Sequence, residues 1–265
     1  MKKHNGFSLI EIAVVLIIIS VLFAMIAIPL ATQIDLRRTE DTQRQLEAIK
    51  EALIGYAVAN GRLPCPAIAT SNGNEAFAAG GNATNGNCQQ FVGFLPAATL
   101  GLSPVDANGF ALDAWGLTQN RIRYGVSALA SPSGTPATCI NAIVTNVFTR
   151  TDGMRLATMA CLADTNPSLN MLRICSSTPT GAAGAATGCT SLLTTKAPFV
   201  LLSLGKNAAT GGIDTDEAHN VDTDAYFVSH TPTPAGSANG EFDDVVTWGS
   251  LSALFARMVQ AGRLP

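Results

Sequence analysis

The chain has 265 residues, 16 Lys or Arg against 19 Asp or Glu, a formal charge of −3, and 47% hydrophobic but only 13% charged residues. A slightly acidic chain with no basic run lacks the positive face that phosphates require, which excludes a general nucleic-acid binder. It contains no G-x-x-x-x-G-K loop and no H-E-x-x-H helix, so phosphate-cradling and zinc-hydrolase chemistry have no support in the sequence.

The first element is an apolar run. Lys2 and Lys3 precede Gly6-Phe7-Ser8-Leu9-Ile10-Glu11, and from Phe7 to Ala31 only Ser8, Glu11 and Ser20 interrupt a series of apolar residues and proline. At 1.5 Å per residue, roughly 20 such residues cross the hydrocarbon core of a bilayer, so residues 7–31 read as one membrane-spanning helix. Lys2 and Lys3 favour a cytoplasmic N-terminus, since the other flank carries the mixed-sign cluster Asp35, Arg37, Arg38, Glu40 and Asp41. A secretory signal peptide also has a basic start and an apolar middle. Ala24, Ala27 and Ala31 leave room for its cleavage, but no clear Ala-x-Ala site follows, and the run flows into a further helical pattern. A plain anchor accounts for the apolarity and leaves Glu11 unexplained. A carboxylate set in lipid is costly enough to mark a function.

The string Gly6-Phe7-Ser8-Leu9-Ile10-Glu11 and its flanks resemble the N-terminus of type IV pilins and type II secretion pseudopilins. The resemblance is strong to about residue 30 and weak beyond it. It implies that residues 1–6 are a leader, that prepilin peptidase cuts between Gly6 and Phe7, and that Phe7 is then N-methylated. It makes Glu11 the carboxylate of assembly. The implied partners are the peptidase, other pilin or pseudopilin subunits through the N-terminal helix, and an inner-membrane assembly platform. The implied location is the inner membrane, single-pass with the head in the periplasm, followed by a periplasmic or extracellular filament. The physics agrees: an axial shift of about four residues, or about 6 Å, brings the Glu11 of one helix to the new Phe7 amine of its neighbour. Assembly then relieves two costly charges at once. Two departures stand out. Ser20 lies where the family has a helix-weakening glycine, and Pro29 lies about one position late. Without the leader the chain has 14 basic and 19 acidic residues, a formal −5.

From Leu36 the pattern turns amphipathic. Leu46, Ile49, Leu53 and Tyr56 recur at intervals of three and four beside Ala57, the mark of a helix with one buried stripe. Asn60-Gly61, with Pro64 and Pro66 beyond, is a stop signal. Residues 32–60 are therefore the amphipathic half of one helix about 80 Å long. Residues 61–265 form an exported head, large enough for one sizeable core or two small lobes. Within it, 72–87 and 178–188 read as Gly- and Asn-rich or low-complexity loops. Short strands are predicted at Arg121–Val126, Ala142–Phe148, Met171–Cys175, Phe199–Leu204, Tyr226–Val228 and Val245–Trp248, with antiparallel pairing. Leu251, Leu254, Phe255, Met258 and Val259 predict a last helix, with Ser250 and Gly262 as caps. The fold class is α+β: a long N-terminal helix packed on a head with an antiparallel sheet and a C-terminal helix. Asp113-Ala114-Trp115-Gly116 and Phe242-Asp243-Asp244-Val245-Val246-Thr247-Trp248 are similar to a turn and to the last strand of pseudopilin heads.

All six cysteines (Cys65, Cys88, Cys139, Cys161, Cys175 and Cys189) lie in the head, and an even count outside the cytoplasm points to disulfides. Six cysteines allow fifteen pairings. The shortest loops join Cys65 to Cys88, Cys139 to Cys161 and Cys175 to Cys189, but the sequence does not choose among the schemes. A Cys/His zinc set is poorly supported, with no C-x-x-C and only His219 and His230 after the leader. Asp214, Asp216, Glu217, Asp222 and Asp224 make an acidic stretch, with Asp243 and Asp244 later. Major pseudopilins hold calcium in a late loop of the head, so the resemblance makes Asp214, Asp216, Asp222 and Asp224 candidate calcium ligands. The competing reading is a solvated acidic loop. Gly249-Ser250-Leu251-Ser252-Ala253 falls short of G-x-S-x-G. The reading as a whole is a structural filament subunit, a pseudopilin or minor pilin, and not an enzyme. The alternative is a pilus-borne adhesin or ligand-binding tip subunit. A membrane-anchored enzyme keeps a place only through the size of the head.

Overall fold

In a computed structural model the described residues are 8–128, 146–156, 171–210 and 214–264, with no side chains described for 23–31. The chain divides into two compact units, Met1–Asp41 and Thr42–Pro265. Helix α1, Leu9–Asn60, contributes to both.

In the first unit, Ser8 starts α1: its carbonyl accepts the Glu11 and Ile12 N–H groups at 3.1 and 3.3 Å. The described apolar side chains from Leu9 to Leu22 are exposed on every side of the helix. The Ser20 hydroxyl donates to the Ile17 carbonyl at 2.8 Å, so the one hydroxyl in this stretch is satisfied within its own helix. Among the described residues no helix is long and apolar enough to cross a membrane. The predicted span continues through residues 23–31, whose side chains lie outside the described set.

In the second unit, the rest of α1 turns amphipathic as its pattern requires. Leu46, Ile49, Leu53, Ile54 and Ala57 are buried, while Tyr56 lies at the margin. Asn60 ends the helix, and Arg62 immediately beyond it is buried in a two-bond pairing with Glu75, at 2.8 and 2.6 Å. A fork-to-carboxylate pairing fixes direction as well as distance, and this one anchors the start of the Asn/Gly loop.

The head elements in chain order are β1 (Val92–Phe94), α2 (Ala97–Leu100), β2 (Arg123–Val126), α3 (Gly153–Leu156), β3 (Leu172–Cys175), β4 (Pro179–Thr180), β5 (Gly188–Cys189), β6 (Leu192–Ala197), β7 (Phe199–Ser203), α4 (Thr215–Val221), β8 (Tyr226–Val228), β9 (Val245–Trp248) and α5 (Leu251–Gln260). One sheet has the order β1-β2-β7-β9, antiparallel throughout. A second has the order β6-β3-β8, and β4 with β5 forms a small ladder. Strand β7 carries the architecture. Phe199 and Leu201 face a core shared with α1 and α5, whereas Val200 and Leu202 face a second core with Leu172, Ile174 and Phe227 of the other sheet. Alternate side chains of a strand point to opposite faces, so a strand covered on both sides must be apolar at every position, as Phe199–Leu202 is.

Several sequence expectations change here. Strand β3 pairs antiparallel with β6 but parallel with β8, because β6, β7 and α4 supply the long crossover that a parallel pair needs. Only Pro198 separates β6 from β7, and the chain changes sheet there. Proline lacks an N–H and suits a break in the ladder. Of the strand expected at Ala142–Phe148, residues 142–145 lie outside the described set, and Asn146–Phe148 form a bend and turn with Asn146 at φ 58°. The acidic stretch is not a loop but α4 with the turn after it. The loop expected at 178–188 contains β4 and the first residue of β5.

Helix α5 buries Leu254, Phe255 and Met258 and leaves Val259 exposed. Gly262 stands at φ +68°, and the Arg263 N–H reaches back to the Met258 carbonyl at 2.9 Å, the left-handed closure that glycine makes without strain. Ser250 precedes the helix but makes no side-chain cap bond. The Arg263 guanidinium then donates to the Val58 carbonyl at 2.8 Å and to that of Ala59. It thereby satisfies carbonyls at the end of α1 that have no partner within the helix.

Candidate functional site

Gly6 and Phe7, the expected cleavage and methylation residues, lie outside the described set. Glu11 lies within it. Its Oε2 accepts the Ser8 backbone N–H at 2.9 Å, the glutamate half of a capping box at the start of α1. The carboxylate also sits in the first turn, where the helix dipole favours negative charge. Glu11 is therefore not without a partner in the single subunit, as the charge argument alone assumed. It has a local neutral donor. The S-x-x-E spacing that announces this is in the sequence, and the apolar surroundings drew attention away from it. Around Glu11, Ile10, Ile12, Val14, Val15 and Leu16 are all exposed, a contiguous apolar surface of the kind that marks a protein or membrane contact.

Two disulfides are present among the described residues, Cys65–Cys88 and Cys175–Cys189, with Cα atoms 5.4 and 5.5 Å apart. Cys139 and Cys161 lie outside the described set. The first bridge closes the base of the Asn/Gly loop, whose turns are built by Asn side chains: Asn82 Oδ1 accepts the N–H groups of Thr84 and Asn85 at 2.9 and 3.1 Å. The second joins the end of β3 to β5.

The four candidate calcium ligands do not converge. Asp214 Oδ2 accepts the Glu241 N–H at 2.7 Å. Asp216 is buried and takes the Thr178 hydroxyl at 2.6 Å, with His230 Nε2 at 3.1 Å. Asp222 and Asp224 come together, but with His219. The physical reason is α4: Asp214 precedes its first residue and Asp222 follows its last, which sets them roughly 12 Å apart along the axis at 1.5 Å per residue.

A different triad gathers between α4 and the start of β9. Carboxylate oxygens of Glu217, Asp243 and Asp244 lie within 4.8 Å of one another. The Asn207 side-chain amide donates to both Glu217 oxygens at 3.0 Å, and the Asp243 N–H donates to Glu217 Oε1 at 3.0 Å. Asn220 donates to Asp244 Oδ2 at 2.7 Å. Asp243 Oδ1 and Asp244 Oδ1 are buried with no hydrogen-bond partner. Gly205, at φ +64°, makes room for Asp243, since a Cβ there would stand 2.3 Å from Asp243 Oδ1. Burial first, then the neighbouring carboxylates, push the Glu217 and Asp243 carboxyls up and that of Asp244 well above the ordinary carboxylate range. Orphaned acidic oxygens converging in one place suit a hard cation, which takes six to eight oxygen ligands. The triad fits calcium better than the four aspartates do. Asp243-Asp244 was visible in sequence; its meeting with Glu217, 26 residues earlier, was not.

The motif Asp113-Ala114-Trp115-Gly116 is a structural turn. Asp113 accepts the Trp115 N–H at 2.9 Å, the Asn120 amide at 2.9 Å and the Ser203 hydroxyl, and the Thr42 hydroxyl accepts the Ala114 N–H at 3.2 Å. Burial pushes the Asp113 carboxyl up, opposed by those donors.

Compared with known proteins, residues 1–27 match the family described as the prokaryotic N-terminal methylation motif. No curated protein matches the chain, and no solved structure does. The start of the chain thus carries the methylation leader of the type IV pilin and pseudopilin class, and the head is without a counterpart in these comparisons.

Proposed function

We propose that this pilin-like chain is a structural subunit of a type IV pilus-like filament, a type II secretion pseudopilin or a minor pilin. In this reading prepilin peptidase processes the chain, and it assembles through its N-terminal helix. One observation carries the reading: Glu11 sits at the capped start of a helix whose apolar side chains are exposed all round, directly after a methylation leader. In the free subunit the carboxylate rests on the Ser8 N–H. In the filament it turns to the methylated Phe7 amine of a neighbour, exchanging a neutral donor for a cationic one, which makes the stronger bond. In this reading the head is the cargo of that helix and carries no catalytic role. Mass spectrometry of the mature N-terminus tests the class. N-methylated Phe7 is expected, and an intact Met1 or a cut near Ala31 would remove the proposal. Deleting the gene separates the two machines: loss of exoprotein release marks a secretion pseudopilin, and loss of surface filaments marks a pilin.

A second reading, a ligand-binding tip subunit, draws on the Asn/Gly loop. That loop is pinned by Cys65–Cys88, by Arg62–Glu75 and by its own Asn turns, so it offers a fixed polar surface and not a loose linker. Calcium, implied for the head by the resemblance, would be held by Glu217, Asp243 and Asp244. There it would neutralise buried negative charge and fix the entry to β9. Calcium calorimetry on wild type and Glu217→Gln tests this, with heat expected only from wild type.

A further inference from the structure

The end of α4 holds a cluster of different chemistry. His219 lies in the last turn of α4, Asp222 follows the helix and Asp224 precedes β8. One ligand atom from each of the three lies within 4.8 Å of the others. The His219 ring is buried, 2% exposed, and its Nδ1 has no hydrogen-bond partner. That nitrogen stands 3.7 Å from Asp222 Oδ2, too far for a hydrogen bond. The distance is close to the edge between two ligands of a four-coordinate ion, roughly 3.3 Å for bonds of about 2.0–2.1 Å.

The carboxylates are already oriented by backbone donors. Asp222 accepts the Gly184 N–H at 2.7 Å and the Asp224 N–H at 2.8 Å. Asp224 accepts the Ala186 N–H at 3.0 Å and the Tyr226 N–H at 2.8 Å. Each oxygen thereby uses one of its lone pairs and keeps another. Such outer donors are what fix the direction of metal-binding carboxylates.

We infer that His219, Asp222 and Asp224 form a binding site for one divalent transition-metal ion of the zinc type, tying the last turn of α4 to the turn that leads into β8. One imidazole with two carboxylates suits zinc, cobalt or nickel. Calcium requires more oxygens and no nitrogen. Three protein ligands leave a coordination position for water. The ion fixes the same carboxylates that hold the Gly184 and Ala186 N–H groups, and so stiffens a glycine- and alanine-rich surface of the head through them. The site is separate from the Glu217 triad in both residues and chemistry, and does not depend on the filament reading.

The test uses the full mature chain in detergent, disulfides intact and stripped with chelator. Zinc uptake is measured by equilibrium dialysis, and cobalt is used as a visible probe. Expected are one zinc per chain, ligand-field absorption on adding cobalt, displacement of cobalt by zinc but not by millimolar calcium, and at least a tenfold loss of zinc affinity in His219→Asn and in Asp224→Asn. Glu217→Gln should bind zinc as wild type does. The inference is overturned by no zinc uptake in wild type, by undiminished affinity in a folded His219→Asn chain, or by calcium displacing cobalt. Should His219→Asn fail to fold, the wild-type cobalt spectrum decides alone, and absence of ligand-field bands overturns the site.

Discussion

The helix cap made by Glu11 and its proposed pairing in assembly are separable, and one substitution pair divides them. Glu11 Oε2 lies 2.9 Å from the Ser8 N–H, a capping bond worth about 1 kcal/mol, or about fivefold in an equilibrium. Pairing with the amine of a neighbouring subunit at about 4 Å is worth about 4 kcal/mol at an effective dielectric of about 20, close to a thousandfold in association. Glu11→Gln keeps an oxygen to accept the Ser8 N–H but has no charge, whereas Glu11→Ala loses both. If charge pairing governs assembly, both variants are cleaved and methylated at Phe7, and both are depleted in filaments by orders of magnitude. If the residue only starts the helix, Gln assembles nearly as wild type and Ala falls about fivefold. The assay is the fraction of mature chain recovered in sheared or cross-linked filaments, with processing followed in the same samples. Wild-type filament levels from the Gln variant would refute the pairing argument and leave Glu11 as a helix cap.

Three further outcomes concern the second unit, Thr42–Pro265. Burial holds the Asp244 carboxyl well above its ordinary 3.8, so the folded state retains a proton that the unfolded chain gives up; its stability is full below about pH 4 and falls as pH rises through the unfolded value toward the folded one. In chelator, Asp244→Asn should therefore melt higher than wild type at pH 8 and not at pH 4, as thermal unfolding at the two pH values would reveal. Replacing Cys175 and Cys189 together by Ser opens a loop of sequence separation 14 and should cost about 3 kcal/mol in denaturant unfolding. Leu53→Ala, at a fully buried position of α1, should cost about 2–5 kcal/mol while leaving Phe7 processing unchanged.

What could be read in the chain was what repeats or what stands alone. Leu46, Ile49, Leu53 and Ala57 keep a helical period long enough to be unmistakable, and Leu254, Phe255 and Met258 do the same for α5. Gly262 signalled its own turn. The missed features depend on partners far away in sequence. The stretch from Leu192 to Ser203 reads as one apolar and polar run, and only the packing of two sheets shows that it changes layer at Pro198. The parallel pairing of β3 with β8 is likewise set by what lies between them. Helix α4 was read as a loop because it is short and acidic. Its Asp216 and Glu217 are buried by Thr178, Asn207 and Asn239, none of which is local. The His-x-x-Asp-x-Asp spacing from His219 to Asp224 is local by contrast, and its convergence comes from the turn after α4, where the Asp224 N–H donates to Asp222. At Glu11 the error ran the other way: the local signal was present, and the membrane argument overshadowed it.

The grip of Arg263 on the Val58 and Ala59 carbonyls sets an order of events. The buried face of α1 is sealed by Val245, Leu254, Phe255, Met258 and Leu264, all supplied by the final stretch of the described chain. Until those residues are available, the helix that carries the head has an open apolar side and loose carbonyls at its end. Closure therefore waits for contacts about 200 positions apart, and such long-range pairing is slow. A chain synthesised N-terminus first has its N-terminal helix complete while its head is still open. Quality control in this subunit accordingly falls on the tail: a truncation of a few residues near Leu264 would leave the leader, Phe7 and Glu11 intact and deliver an unsealed head to the assembly site.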